Sequence, residues 1–450
     1  MIKTNIFKPK LLAKAVALAS VPLLAFCASN VLAQENSDLM ELKQLQERME
    51  KLEKRLQDAV STAPNISEES SDNKYLLRDG KGIKIGDTTI SFGGFIKTDI
   101  IYGSNGYGTP NGYSIGLARA YAAAANSNKN NWKVGMTARE SRISIGTKTD
   151  NVAGHDLTTY IEMDFNQAVD APGNESVSNS YSPRLRQAFA SWNNWDVGQT
   201  YSTFTDLAVM PEILGQGKQA AFMYVTQPIV RYSMAAPGGK LMIAIENPED
   251  GFGTTSYDDQ SYPDLTARYQ INGKYGYYSI AGVARKLEHE NGAGKKSSKE
   301  TGAISLSARF PTIGKDDLRL QYNYGSLGRY MGLLTYPDVD LSKLTADDKV
   351  KPLKTFGATA AYRHFWSDNW RSTLSVSHTE VINSLPKLGT PIANGTLSYF
   401  DSSSSAHANL MWSAHKNLTL GVEYAYWDFG KITGGNKKYE QIMTSAILTF

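Results

Sequence analysis

Nine arginines stand where their chemistry would count. Arg142, Arg184, Arg186, Arg231, Arg268, Arg309, Arg319, Arg363 and Arg371 each occupy a polar position in a segment of alternating character. A guanidinium is planar and always charged, and its fork of donors matches a carboxylate or phosphate through two bonds at once. The neighbours Ile143, Leu185, Tyr232, Tyr269, Phe310, Leu318 and Tyr362 are apolar. Side chains that alternate along a strand then put the arginines on the opposite, polar face. Two uses stay open at this point: pairing with Glu162, Asp164, Asp264 and Glu423 or hydrating strand ends, and contact with small anions.

Other chemistries have less to stand on. Of six histidines, His155 and His415 read as turn residues, His289 as a loop residue, and His364, His378 and His407 as strand residues. None lies in a recognisable catalytic frame, and Ser402 to Ser405 near His407 read as loop or wall lining. The chain holds no His-Glu-x-x-His, no Cys pair and no Gly-x-x-x-x-Gly-Lys loop. No catalytic residue, cofactor or metal site is therefore expected.

The elements that position the arginines follow from composition and period. Aromatics make up 10% of 450 residues, too many for disorder along most of the chain. Beyond the N-terminus nothing approaches the roughly 18 consecutive apolar residues of a membrane helix. A formal net charge of +3 over this length gives no basic footprint for nucleic acid. The 25 Tyr and 38 Gly in a chain only 41% hydrophobic point to many strands and turns.

Residues 1–33 read as an export signal: Lys3, Lys8, Lys10 and Lys14, then the apolar stretch Ala15 to Ala28, then Val31-Leu32-Ala33 as the cleavage site. The one cysteine, Cys27, leaves with that segment, so the exported chain is expected to have no disulfide. Residues 34–60 read as a coiled-coil helix with the seam Leu42, Leu45, Met49, Leu52, Leu56 and Ala59. Within it Arg48-Met49-Glu50-Lys51-Leu52-Glu53 resembles a trimerising coiled-coil motif, in which Arg48 would bond the neighbouring chain's Glu53. Residues 61–74 read as a polar, flexible linker.

From about residue 75 the period becomes 2. Ile90, Phe92, Gly94, Ile96, Thr98, Ile100 and Tyr102 share one face, and Leu418, Leu420, Val422, Tyr424 and Tyr426 share another. Sixteen such segments fall near residues 89–102, 133–147, 156–165, 184–192, 195–201, 228–234, 240–246, 264–270, 275–287, 302–310, 318–325, 355–365, 370–379, 403–412, 418–427 and 441–450. Short connections alternate with long ones, the layout of an outer-membrane barrel with periplasmic turns and extracellular loops. The expected fold is therefore all-β membrane: a 16-stranded antiparallel transmembrane β-barrel over residues 75–450, with a periplasmic coiled-coil helix before it.

The last segment places Ile442, Thr444, Ala446, Leu448 and the terminal Phe450 on one face. This resembles the C-terminal signal read by the barrel-assembly machinery of Gram-negative bacteria. Ser141-Arg142-Ile143-Ser144-Ile145-Gly146 resembles the second strand of general porins. Arg184-Leu185-Arg186-Gln187-Ala188-Phe189, followed by Gly198-Gln199-Thr200, is similar to their fourth and fifth strands. With the N-terminal coiled coil, Ala244-Ile245-Glu246-Asn247-Pro248 and Pro263-Asp264-Leu265-Thr266-Ala267-Arg268-Tyr269 together resemble the DcaP-like porin family. That resemblance implies a homotrimer in outer-membrane lipid and lipopolysaccharide that passes small organic anions, dicarboxylates above all.

On this reading Arg142, Arg184, Arg186, Arg231 and Arg268 line the path. The long segment 202–227 folds into the barrel as the corresponding porin loop does, with Asp206, Glu212 and Lys218 on the opposing wall. A porin for phosphate or pyrophosphate, and a mainly structural barrel linked to the cell envelope, are the alternatives.

Overall fold

Alternation decides the architecture, because one face of every long strand is apolar and must be kept from water. A computed structural model describes residues 82–104, 132–166, 182–215, 219–249, 260–290, 295–332, 337–340, 349–383, 401–430 and 437–450. The expected export signal, the coiled coil with Leu42, Leu45, Arg48, Met49, Leu52, Glu53 and Leu56, the linker, and Lys218 lie outside the described residues.

The described chain forms a closed antiparallel barrel of sixteen strands. They are β1 (Thr88–Gly103), β2 (Lys133–Thr137 and Arg142–Val152, one strand with a break), β3 (His155–Asp164), β4 (Arg184–Trp192), β5 (Trp195–Tyr201), β6 (Thr226–Ala236), β7 (Gly239–Glu246) and β8 (Asp264–Gly273). The second half comprises β9 (Gly276–Glu290), β10 (Lys296–Pro311), β11 (Asp317–Gly325), β12 (Thr355–Phe365), β13 (Trp370–Val381), β14 (Ser402–His415), β15 (Leu418–Phe429) and β16 (Lys437–Thr449). Each strand pairs with the next, and β16 closes on β1 from Gln441 opposite Gly103 to Thr449 opposite Phe95. A short arm, Ile83–Ile85, folds back on the start of β1.

Closure brings the last residue into the seam. The Phe450 N–H donates to the Gly94 carbonyl at 3.1 Å. Gly94 has φ +149°, and a Cβ there would lie 2.2 Å from the Arg142 carbonyl oxygen. Only glycine lets β1, β2 and the C-terminus meet this closely. At the short-turn end, Asn193 and Asn194 both have positive φ, the conformation a two-residue hairpin needs.

The outer wall is the expected apolar face. Phe92, Ile96, Ile145, Leu185, Ile245, Leu306, Leu374 and Leu420 are exposed on it. Near the short turns Trp195 packs on Tyr232 with centroids 4.8 Å apart, and Trp370 stacks on Trp412 at 5.6 Å. Amphipathic rings at this height form the girdle of a membrane barrel.

Details depart from the sequence reading: His155 and His415, read as turn residues, are the first residue of β3 and the last of β14. β9 and β10 run on past the apolar alternation, pairing from Lys286 opposite Glu300 to Glu290 opposite Lys296. His289 is therefore a strand residue rather than a loop residue. Backbone bonding continues there although Leu287 is the one apolar residue among 286–290 and 296–300, too little for a hydrophobic pattern to register. The inner face also departs from uniformly polar: Ala281, Val283, Ala303, Val381, Ala425, Trp427, Phe429 and Tyr439 are all buried inside. What covers them is chain folded into the lumen.

Candidate functional site: the lumen and its inserted loop

The connection from β5 to β6 enters the barrel and runs along its inner wall, attached strand by strand. Asp206 caps a short 3-10 turn (Leu207–Val209), accepting from the Ala208 N–H at 3.0 Å. It also accepts from the Tyr277 hydroxyl at 2.8 Å and from Ser279, both on β9. Arg268 of β8 donates to the Thr205 carbonyl at 2.5 Å, Arg309 of β10 to Ala208 at 3.5 Å, and Arg319 of β11 to Met210.

Glu212 then meets two arginines. Arg371 of β13 donates through Nε and Nη2 at 2.9 and 2.8 Å, and Arg363 of β12 through Nη1 at 3.2 Å. Burial alone would raise the Glu212 pKa, but the two guanidiniums outweigh it and hold the carboxyl below its ordinary value. At the far end the Leu214 N–H donates to Glu423 at 2.6 Å, and Lys97 of β1 donates to the Leu214 carbonyl at 2.8 Å. Gly421 leaves room for Leu214, whose methyls would lie 2.9 and 3.1 Å from an added Cβ. A loop passing over so many strands meets few ladder groups in register, so side chains satisfy its backbone instead.

The arginines thus divide into two sets. Those on β8 and β10 to β13 grip the loop. A second set lies on β2 and β4. Arg184 binds Asp164 with two bonds, Nε at 2.9 Å and Nη2 at 2.6 Å. Arg186 donates to Glu162 at 2.7 Å, Asp164 at 3.0 Å and the Tyr224 hydroxyl at 2.8 Å. Arg142 lies 3.7 Å from Glu162 and 5.3 Å from the Phe95 ring centre. Their side chains are 26%, 7% and 12% exposed for Arg184, Arg186 and Arg142, so Arg184 is the most open to water. Arg231 of β6 pairs with Asp196 at 2.9 Å, nearer the short-turn end.

Backbone irregularities aim this second set. The β3–β4 pairing slips at Arg186, where Glu162 faces Gln187 and Met163 faces Leu185. The bulged residue lets Arg184, Arg186 and Gln187 all serve the inner side. The outward Gln199 amide donates to the Leu185 carbonyl at 3.2 Å beside the bulge. In β2 the ladder breaks over 138–141, Ser141 Oγ accepts from the Lys97 N–H at 3.0 Å, and Arg139 is buried close by. Arg139 continues the inward parity of Gly135 and Thr137, and the break then shifts that parity by one residue so that Arg142 faces inward as well.

Of the residues expected to line the path, Arg142, Arg184 and Arg186 come together. Arg231 stands apart with Asp196, and Arg268 is buried against the inserted loop. Asp206 and Glu212 both lie on that loop, turned to the wall that anchors it. Glu162, Asp164 and Asp264 pair with arginines, whereas Glu423 holds the Leu214 N–H.

An apolar-walled barrel with short turns, an aromatic girdle and a loop folded along a charged inner wall is the structure of a porin-type outer-membrane channel. The chain belongs to the DcaP outer membrane protein family, whose family model matches residues 25–443. It resembles the solved outer membrane channel DcaP of Acinetobacter baumannii with a TM-score of 0.67 at 20% identity, covering 82% of this chain and 99% of that one. OmpF of Salmonella typhi, solved with daunomycin, gives a TM-score of 0.52 at 13% identity over 82% and 100% of the two chains. OmpT of Vibrio cholerae gives 0.50 at 11% identity over 82% and 100%. No curated protein matches the sequence.

Proposed function

We propose that the protein lets small organic anions, dicarboxylates above all, diffuse passively across the outer membrane. The observation that carries this reading is the cluster of Arg142, Arg184 and Arg186 on the inner wall, with Arg184 partly open to water. Each guanidinium already faces Glu162 or Asp164, so an arriving carboxylate competes with fixed carboxylates. Binding is then favourable enough to enter and weak enough to leave, as conduction requires. Arg231 would extend the positive path toward the periplasmic end, while Arg268, Asp206 and Glu212 act by fixing the loop opposite.

The expected assembly is a homotrimer in outer-membrane lipid and lipopolysaccharide, with the coiled coil of residues 34–60 in the periplasm. Phe450, in the closing seam, would present the C-terminal strand to the barrel-assembly machinery. Current through purified protein in planar bilayers, its reversal potential in a salt gradient, and block by succinate test the reading together. Anion preference with succinate block supports it. Block by phosphate or pyrophosphate but not succinate moves the assignment to that class, and absence of current leaves a structural barrel.

A further inference from the structure

A second piece of chain also enters the lumen, and it belongs to the connection from β11 to β12. We infer that its described residues 326–332 and 337–340 form a second constriction that sets the size limit of the pore, with Arg285 and Asp338 as the positioning residues that hold it there. The inference rests on the pore reading above and adds to it.

The two inserted segments bond to each other. Met223 faces Met331 in an antiparallel bridge. The Tyr224 N–H donates to the Tyr330 carbonyl at 3.1 Å, and the Gly332 N–H donates to the Phe222 carbonyl at 2.6 Å. Gly332 is needed at this crossing, since a Cβ there would lie 2.6 Å from the Phe222 ring and 2.9 Å from its carbonyl oxygen. The pair covers the apolar inner wall: Phe204, Met223, Leu327, Tyr330, Met331 and Leu353 pack against Trp427, Phe429 and Tyr439.

Charge then fixes the position. Asp338 is fully buried and accepts from both terminal nitrogens of Arg285 on β9, the longer bond at 3.3 Å. Arg285 Nε donates to Asp264 of β8 at 3.0 Å, and the Tyr330 hydroxyl donates to the same carboxylate at 2.8 Å. The Arg329 N–H reaches Asp338 at 3.3 Å over Gly328, where φ is +39° and a Cβ would meet the carboxylate at 1.6 Å. Every barrel strand pairs with its neighbours without this segment. A fully buried ion pair is costly to form and best attested where it selects one arrangement over others. Here it selects a loop lying inside the barrel over the same loop outside.

The test uses the full chain in planar bilayers and in liposomes swollen with neutral sugars, which report size without charge. Asp338→Asn removes the charge pair, whereas Gly332→Val separates the two segments and leaves the pair intact. Both should raise unitary conductance and shift the cut-off to larger sugars. In an Asp338→Asn background, Met223→Cys with Met331→Cys should form a disulfide, because a facing antiparallel pair has Cα atoms about 4.5–5.5 Å apart. Oxidised, that variant should regain wild-type conductance and cut-off; reduced, it should lose them again. A conducting wild type whose folded variants show the same conductance and sugar cut-off overturns the inference alone. A silent wild type overturns the pore reading and the inference with it.

Discussion

Glu212 on the inserted loop and Arg371 on β13 share two hydrogen bonds, at 2.9 and 2.8 Å, and the loop is thereby tied to the opposite side of the barrel from its own strands. Because Arg371 and Arg363 hold the Glu212 pKa below its ordinary value, the contact has a defined pH window. A depressed carboxylate contributes in full above the usual glutamate value of about 4.3 and loses its contribution as pH falls through the lower, folded value. Open-channel noise should stay constant from neutral pH to about 5 and rise only in stronger acid. Glu212→Gln should show the acid behaviour at neutral pH, and noise rising near pH 6 in the wild type would contradict the anchor.

Gly421 faces Leu214 at the end of the same loop. An added Cβ meets only the flexible end of that side chain, so Gly421→Ala should cost less than about 1 kcal/mol and leave conductance unchanged. Gly421→Phe cannot fit beside Leu214 and should displace the loop tip, raising conductance. Equal conductance in both variants would mean that the tip does not lie against this wall in the working protein.

The closing seam at Gly94 makes a prediction about folding. Alanine there is forced into both a rare backbone region and a 2.2 Å clash with the Arg142 carbonyl. A strained residue of this kind costs about 1–3 kcal/mol. Gly94→Ala should lower the temperature at which the folded barrel unfolds in gel-shift assays, more than Gly93→Ala beside it. Equal shifts would remove the special role of the seam.

A chain lacking residues 34–74 should still conduct, because the barrel closes without them. If those residues trimerise as their Leu/Met seam and the Arg48 to Glu53 motif imply, the truncated trimer should dissociate at a lower temperature than the full chain. Unchanged trimer stability would assign assembly to the barrels alone.

All sixteen strands were legible because lipid on one face imposes strict alternation, and each expected segment corresponds to one strand. The inward direction of Arg142, Arg184, Arg231 and Arg268 was legible for the same reason. What alternation cannot carry is an extra residue: the bulge at Arg186 and the break at 138–141 were invisible. Nor does it report height, so nothing separated Arg268, Arg309, Arg319, Arg363 and Arg371, which grip the loop, from Arg142, Arg184 and Arg186, which do not. The second inserted segment had left a signal. Ala425, Trp427 and Phe429 continue the polar face of β15 with apolar residues, and a buried apolar stripe inside a water-filled barrel needs something to cover it.

Whether Arg184 and Arg186 make the path favourable for anions is read from the zero-current reversal potential in a salt gradient. The wild type and the Arg184→Ala/Arg186→Ala variant should be compared at low ionic strength, since the Debye length falls to about 3 Å at 1 M. The double change leaves Glu162 and Asp164 without these partners, at a stability cost of order 3–5 kcal/mol per broken buried pair, so it should be read alongside Arg184→Lys/Arg186→Lys. The wild type should be anion-selective, the lysine variant should remain so, and the alanine variant should shift toward cations. Identical reversal potentials in all three would mean that Arg184 and Arg186 do not set the selectivity of the path.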